Sequence, residues 1–596
     1  MKSILLYRPN IDAAFGPQSN ALRRLLLACI AAAIPLLAGC AVRTFPNVPS
    51  AKEPSREYFS SAKAENYFIR ARDYERRGLM PMAERFYELA YELDPASATL
   101  RTMLLLRYSS AGKYEQAIAL ARRSASDHPL ADDDLRILSG VYLKLGEYAR
   151  AAEEIDRIHD KSPDEWYSLG LIYESMGIVS KSILSFRRCL DLRPESLPVG
   201  CKIASLYLRV KNYFAAESLY IALENRFPRR PVLINGLGIV QLAKGDTNAA
   251  LGFFKTASTI DSTEYEEPLR NAAQIYTARG DYRHAVECYE RLYGLDGSGE
   301  MYWRTLSFLY YYNKQYDKAF AILSRLLSNN VNDQELHFYL GLSAAALDSN
   351  DRAEMEFEKA IVLDPGYGDA WTQLCWLSIK RKEYDAAMLV TDRFRRAMPR
   401  NSAAWRLTGH VQGLRKEYAA AETALKKSIS LDSTDAASWF DYGSLLERQK
   451  KTSAAAEAFR KVLAFRPRDP GASNYLGYMW AEQGANLDSA QVLLEQALAA
   501  EPDNGAFLDS YAWIFYKKGD YDKAMAYIRK AVDKIGNDAV VFDHLGDILE
   551  KKGDRAGAAA AYEKSLQCTW EDPDSAAISI TRKKLEGLNH APAPAH

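Results

Sequence analysis

Small residues return along this chain at a fixed interval. Ala83, Ala117 and Ala151 stand 34 residues apart. After one step of 31 to Ser182, the series runs on through Ala216, Ala250, Ala285, Ala319, Ala353, Ala387, Ala421, Ala455, Ala490, Ala524 and Ala558 in steps of 34 or 35. A period held this long is the mark of a stack of like units, each packed mainly on its neighbours, rather than of several independent globular domains.

The unit is legible in Ala506 to Val532. Leu508, Tyr511, Ala512 and Phe515 recur at helical spacing and define one apolar face. Gly519-Asp520 then breaks the pattern, as a residue free to take positive φ does at a helix end. Ala524, Ile528, Ala531 and Val532 define a second apolar face. Two short helices cannot bury both faces against each other alone, so each hairpin needs the next. The turn residue five before the small residue is Gly78, Gly112, Gly146, Gly177, Gly245, Gly280, Gly519 or Gly553, and Lys, Asp or Ala elsewhere. A proline such as Pro95, Pro194, Pro365, Pro399 or Pro467 closes many units, because it cannot continue a helix. Asp432-Ser433 and Gly536 stand in that place in two units, where looser joints are expected.

Trp166-Tyr-Ser-Leu169-Gly170, followed by Tyr173, Gly177 and Pro194, resembles the tetratricopeptide repeat. The resemblance extends over about fifteen units, residues 62–573. It implies an all-α fold, an α-solenoid of helix-turn-helix units wound into a right-handed superhelix, and a function in binding other proteins. The last third is similar to a subgroup of bacterial repeat proteins of the envelope, on Tyr475-Leu-Gly477-Tyr478, Asp509-Ser510 with Trp513, and Asp543-His544-Leu545-Gly546-Asp547. Ser575 to Leu588 reads as an amphipathic helix, so residues 574–588 are expected to cap the array, with 589–596 as a tail.

The N-terminus reads as a targeting segment, residues 1–39. Arg23-Arg24 precedes an apolar run from Leu25 to Leu37, shorter than a bilayer-spanning helix and suited to a signal core. It ends in Leu37-Ala38-Gly39-Cys40, which resembles a bacterial lipobox. That resemblance implies cleavage before Cys40, lipidation of Cys40, and a membrane partner through the acyl anchor. Ala41 rather than Asp after the cysteine favours the outer membrane, on its periplasmic face. Residues 40–61, with Pro46, Pro49 and Pro54, read as a tether.

Charge and motif content narrow the activity. The 77 basic residues equal the 77 acidic ones, which argues against nucleic acid as partner. The repeats leave no gap for a catalytic domain of ~100 residues. No HExxH, GxSxG or phosphate-binding glycine loop occurs, and no catalytic residue, metal site or cofactor is expected. Cys189 and Cys201, on adjacent helices, are close enough in sequence for a bridge. The remaining candidate is the face of the first helices that is not used for packing. Its register assigns Asp509, Trp513, Tyr516, Asp543, Asp547 and Glu550 to a ligand groove, with Tyr311 in an earlier unit. An aromatic and acidic strip suits a basic extended protein segment, with polysaccharide as the alternative ligand.

Overall fold

A computed structural model describes residues 59–260, 266–293, 300–329, 332–568 and 576–590. The signal segment, Cys40 and the tether as far as residue 58 lie outside them, as do 569–575 and the tail from 591. The described residues form 31 helices and no strand. Thirty of these pair into fifteen antiparallel hairpins, and Ala576–His590 follows alone. Two compact bodies divide the chain near residue 297.

The repeated small residue explains how each hairpin closes. All fifteen, from Ala83 to Ala558 and with Ser182 among them, are completely buried. At this point the second helix crosses the first with no space for a larger side chain. Ser182 uses the contact to donate to the Gly170 carbonyl at 2.8 Å. Four residues further on, a large side chain fills the gap left by a glycine on the first helix. A Cβ built on Gly170 would lie 2.7 Å from Phe186, on Gly341 2.6 Å from Phe357, and on Gly546 2.3 Å from Tyr562. Close packing of this kind leaves no slack for a methyl group.

The turns share one backbone conformation whether or not they hold glycine. Gly519 has φ +82, and Lys211, Lys314, Lys382, Lys416 and Lys450 take φ between 57 and 64 in the equivalent place. The hairpin thus imposes the left-handed state on side chains that disfavour it. In the unit where Ala485 occupies the turn register, Gly484 and Asn486 adopt positive φ instead.

The single short step has a local cause. The second helix Tyr148–Arg157 has 10 residues, against 14 in Val179–Leu192. Ser162 then caps the next helix at once. Its hydroxyl accepts from Glu165 N at 3.3 Å, and the Glu165 carboxylate accepts from Ser162 N at 2.6 Å.

The joint at Asp432-Ser433 is held as firmly as those with proline. Trp371 and Trp405 donate their indole N–H to the carbonyls of Pro365 and Pro399, each at 3.0 Å. Trp439 donates in the same way to Ser433 at 2.9 Å. Asp432 adds an Asx turn, accepting from Thr434 N at 2.9 Å. A tryptophan six residues downstream thus supplies the order expected from proline alone. Cys189 and Cys201 are both free thiols.

A candidate binding groove along the first helices

In the second body, consecutive first helices touch each other as well as the second helices between them. Hydrogen-bonding side chains on this shared face meet across neighbouring units, and most are satisfied there.

The strip assigned from the sequence is one such region. Asp509 is fully buried, with His544 Nδ1 2.9 Å from its carboxylate. Trp513 is 5% exposed and donates its indole N–H to Glu482 at 2.8 Å. Tyr516 stacks with it at 4.5 Å and His544 at 4.0 Å. Asp509 and Trp513 lie on the first helix Gly505–Lys518, but neither is open to a groove. Both are sequestered there, because His544, Tyr516 and Tyr478 fill the space that a ligand would need. Burial, then the nearby Asp547, pushes the Tyr516 phenol up to about 12.

Asp543, Asp547 and Glu550 are engaged by the chain itself. Lys584, on the terminal helix Ala576–His590, lies 2.9 Å from Asp543 and 2.7 Å from Asp547. Thr581 donates to Asp543 at 2.7 Å. Tyr562 donates to Asp547 at 2.7 Å and to Glu550 at 3.1 Å. Burial lowers the Lys584 pKa, and the two aspartates more than reverse this, holding the ammonium above its usual range. Tyr311 is half-buried in a ring cluster with Tyr312, Tyr316 and Tyr339, with centroids 5.5 to 5.8 Å away.

An open cavity of about 550 Å³ lies elsewhere on the same face. It spans the first helices Gly368–Lys380, Ser402–Leu414 and Ala436–Arg448, and reaches Asp469 and Glu501. Ala403 and Ala437 keep its lining shallow, and Trp376 and Phe440 bring aromatic surface to it. Asp441 sits between Arg406 Nη1 at 3.1 Å and His410 Nδ1 at 3.3 Å. Burial raises its carboxyl pKa, but the neighbouring His410 and Arg406 outweigh that and hold it below the usual range. His410 packs edge-on to Trp376 at 4.9 Å.

The sequence contained a signal for this cavity. Trp376, His410, Ser444 and Trp513 each stand eleven residues before the repeated alanine of their unit, Ala387, Ala421, Ala455 and Ala524. The register that selected Trp513 therefore also selects the cavity. Gly409 stands instead in the register of Gly170 and Gly341, and Leu425 fills its gap: a Cβ there would lie 2.6 Å from that side chain.

Family models described as tetratricopeptide repeat match residues 102–165, 166–196, 269–300, 309–368, 414–473, 441–493 and 482–543. BBSome complex member BBS4 of Bos taurus is 22% identical over 310 residues, which are 50% of this chain and 57% of that protein. The chain thus spans little more than half of that relative's length. The TPR repeat-containing protein YpiA of Bacillus subtilis (strain 168) is 22% identical over 321 residues, 47% of this chain and 74% of YpiA. A crystal structure of the APC/C hetero-tetramer Cut9–Hcn1 aligns with TM-score 0.37 and 13% identity, covering 82% of this chain and 97% of that one.

Proposed function

The chain is a tetratricopeptide-repeat protein, and from that premise we propose that it is an envelope-anchored periplasmic scaffold. It binds other proteins and serves the assembly or export of envelope components. The lipobox Leu37-Ala38-Gly39-Cys40 supports the anchor, and the proline-bearing segment after it supports a tether. Several acyl chains on one cysteine-bearing terminus give stable attachment, where a single chain would be marginal.

The observation that carries the binding role is the open cavity lined by Trp376, Ala403, Ala437 and Phe440. Its aromatic and polar lining suits a segment of another polypeptide more than a compact cofactor. The groove holds that segment and the tether sets its reach from the membrane, so the protein acts by placing a partner rather than by converting it. A polysaccharide ligand has less support, because Trp513, the residue that would stack on a sugar, is 5% exposed and already stacked with Tyr516 and His544.

Replacing Cys40 with Ser and fractionating the envelope tests the anchor. The reading expects the variant in the soluble periplasmic fraction and the natural protein in the outer membrane. A Cys40→Ser protein that still sediments with outer membrane contradicts it.

A further inference from the structure

We propose that the cavity is read by charge at its two ends: it takes an extended segment of a partner protein that presents an acidic side chain to Arg448 and Ser444 and a basic one to Asp369. This deepens the scaffold reading and rests on it.

The asymmetry between the middle of the cavity and its ends carries the argument. In the middle, Arg406, His410 and Asp441 satisfy one another. At the ends, groups are left over. Arg448 is half-buried, lines the cavity and forms no ion pair among the described residues. Ser444, four residues earlier on the same helix face, has a buried hydroxyl with no hydrogen-bond partner. A guanidinium and a hydroxyl side by side suit a carboxylate oxygen pair. At the opposite end, Asp369 lines the cavity and likewise has no cation paired with it. Its side chain is in contact with solvent, yet the surrounding wall raises its carboxyl pKa by desolvation, with no opposing charge. Asp469, Glu501 and the exposed Arg466 border the cavity beyond the helix that carries Arg448, three hairpins on from Asp369.

The separation of the two charges sets the length of the segment. Asp369 opens its helix and Arg448 closes the one two hairpins on. The rise along the axis is ~18 Å, and two helix spacings add ~20 Å across it. An extended chain covers the resulting diagonal of ~27 Å in about eight residues.

The test uses the purified full chain and a set of synthetic 14-residue peptides with an apolar centre and two charges about eight residues apart. Lys/Glu, Glu/Glu, Lys/Lys and uncharged pairs are compared by fluorescence anisotropy. The proposal expects the Lys/Glu peptide to bind at least ten-fold tighter than the others. It expects Arg448→Glu to shift the preference to Lys/Lys, and Asp369→Lys to shift it to Glu/Glu. Neither residue holds an ion pair, so both variants should keep the natural circular dichroism, and that is measured first. Equal binding of all peptides, unchanged preferences in the variants, or no binding overturns the charge reading. A photo-crosslinker in place of Ala403, half-buried in the cavity lining, separates the two readings in cells: a discrete adduct keeps the scaffold role when the charge code fails, and no adduct removes both.

Discussion

His544 lies face to face on Trp513, with ring centroids 4.0 Å apart and planes 17° apart. The stack is sealed beneath Tyr478 and Tyr516, and the imidazole meets the buried Asp509 carboxylate. Burial lowers the His544 pKa, but Asp509 outweighs it, with Asp543 and Asp547 adding to the effect, so the net shift is upward. A histidine raised on folding contributes stability that is whole below its unfolded value near 6.5 and is lost as pH climbs through the folded value. Amide exchange in Gly505–Lys518 and Ala539–Lys551 should therefore quicken between pH 6.5 and the alkaline range beyond exchange's intrinsic pH dependence. His544→Gln should abolish that excess. An excess that grows on acidification would contradict the assignment.

The turn conformation predicts opposite signs for two substitutions. Gly519 has φ +82 and open space where a Cβ would go, so Gly519→Ala meets only backbone strain. It should cost about 1 kcal/mol, read from the denaturant midpoint. Lys382, at φ 63, already bears that strain, and Lys382→Gly should raise the midpoint.

Glycines on the first helices behave differently. A Cβ on Gly546 would stand 2.3 Å from the fully buried Tyr562, which also donates to Asp547 and Glu550. Gly546→Ala should destabilise the last hairpin by about 1–3 kcal/mol. Gly587→Ala, with nothing within 4 Å, should leave thermal unfolding unchanged or raise it slightly.

The joint at Asp432-Ser433 rests on one indole. Trp439→Phe removes the donor to the Ser433 carbonyl and keeps an aromatic ring. It should cost about 1 kcal/mol and speed exchange around the start of Ala436–Arg448. The same exchange rate in both proteins would show that the hydrogen bond does not hold the joint.

These sites show what the sequence made legible. The period fixed each hairpin, because one small residue per unit must sit where two helices cross, and all fifteen are fully buried. The register also put Trp513 and Asp543 on the shared first-helix face. It did not reveal that His544 and Lys584, from neighbouring helices, would occupy those side chains. Occupancy depends on pairs 30 or more residues apart, which a single unit's pattern does not encode. The open cavity is only half legible: the register marks Trp376, His410 and Ser444, but the alanines that leave room beside them, Ala403 and Ala437, carry no chemistry of their own and matter only when three helices align.

Contact between a partner and the cavity is the direct test of the binding role. A benzoyl-phenylalanine in place of Ala403, half-buried in the cavity lining, should give one discrete crosslinked species on illumination of living cells. The same group at Leu389, 58% exposed on a second helix, should give none. Adducts from 389 with none from 403 would place the binding surface elsewhere and contradict the scaffold groove.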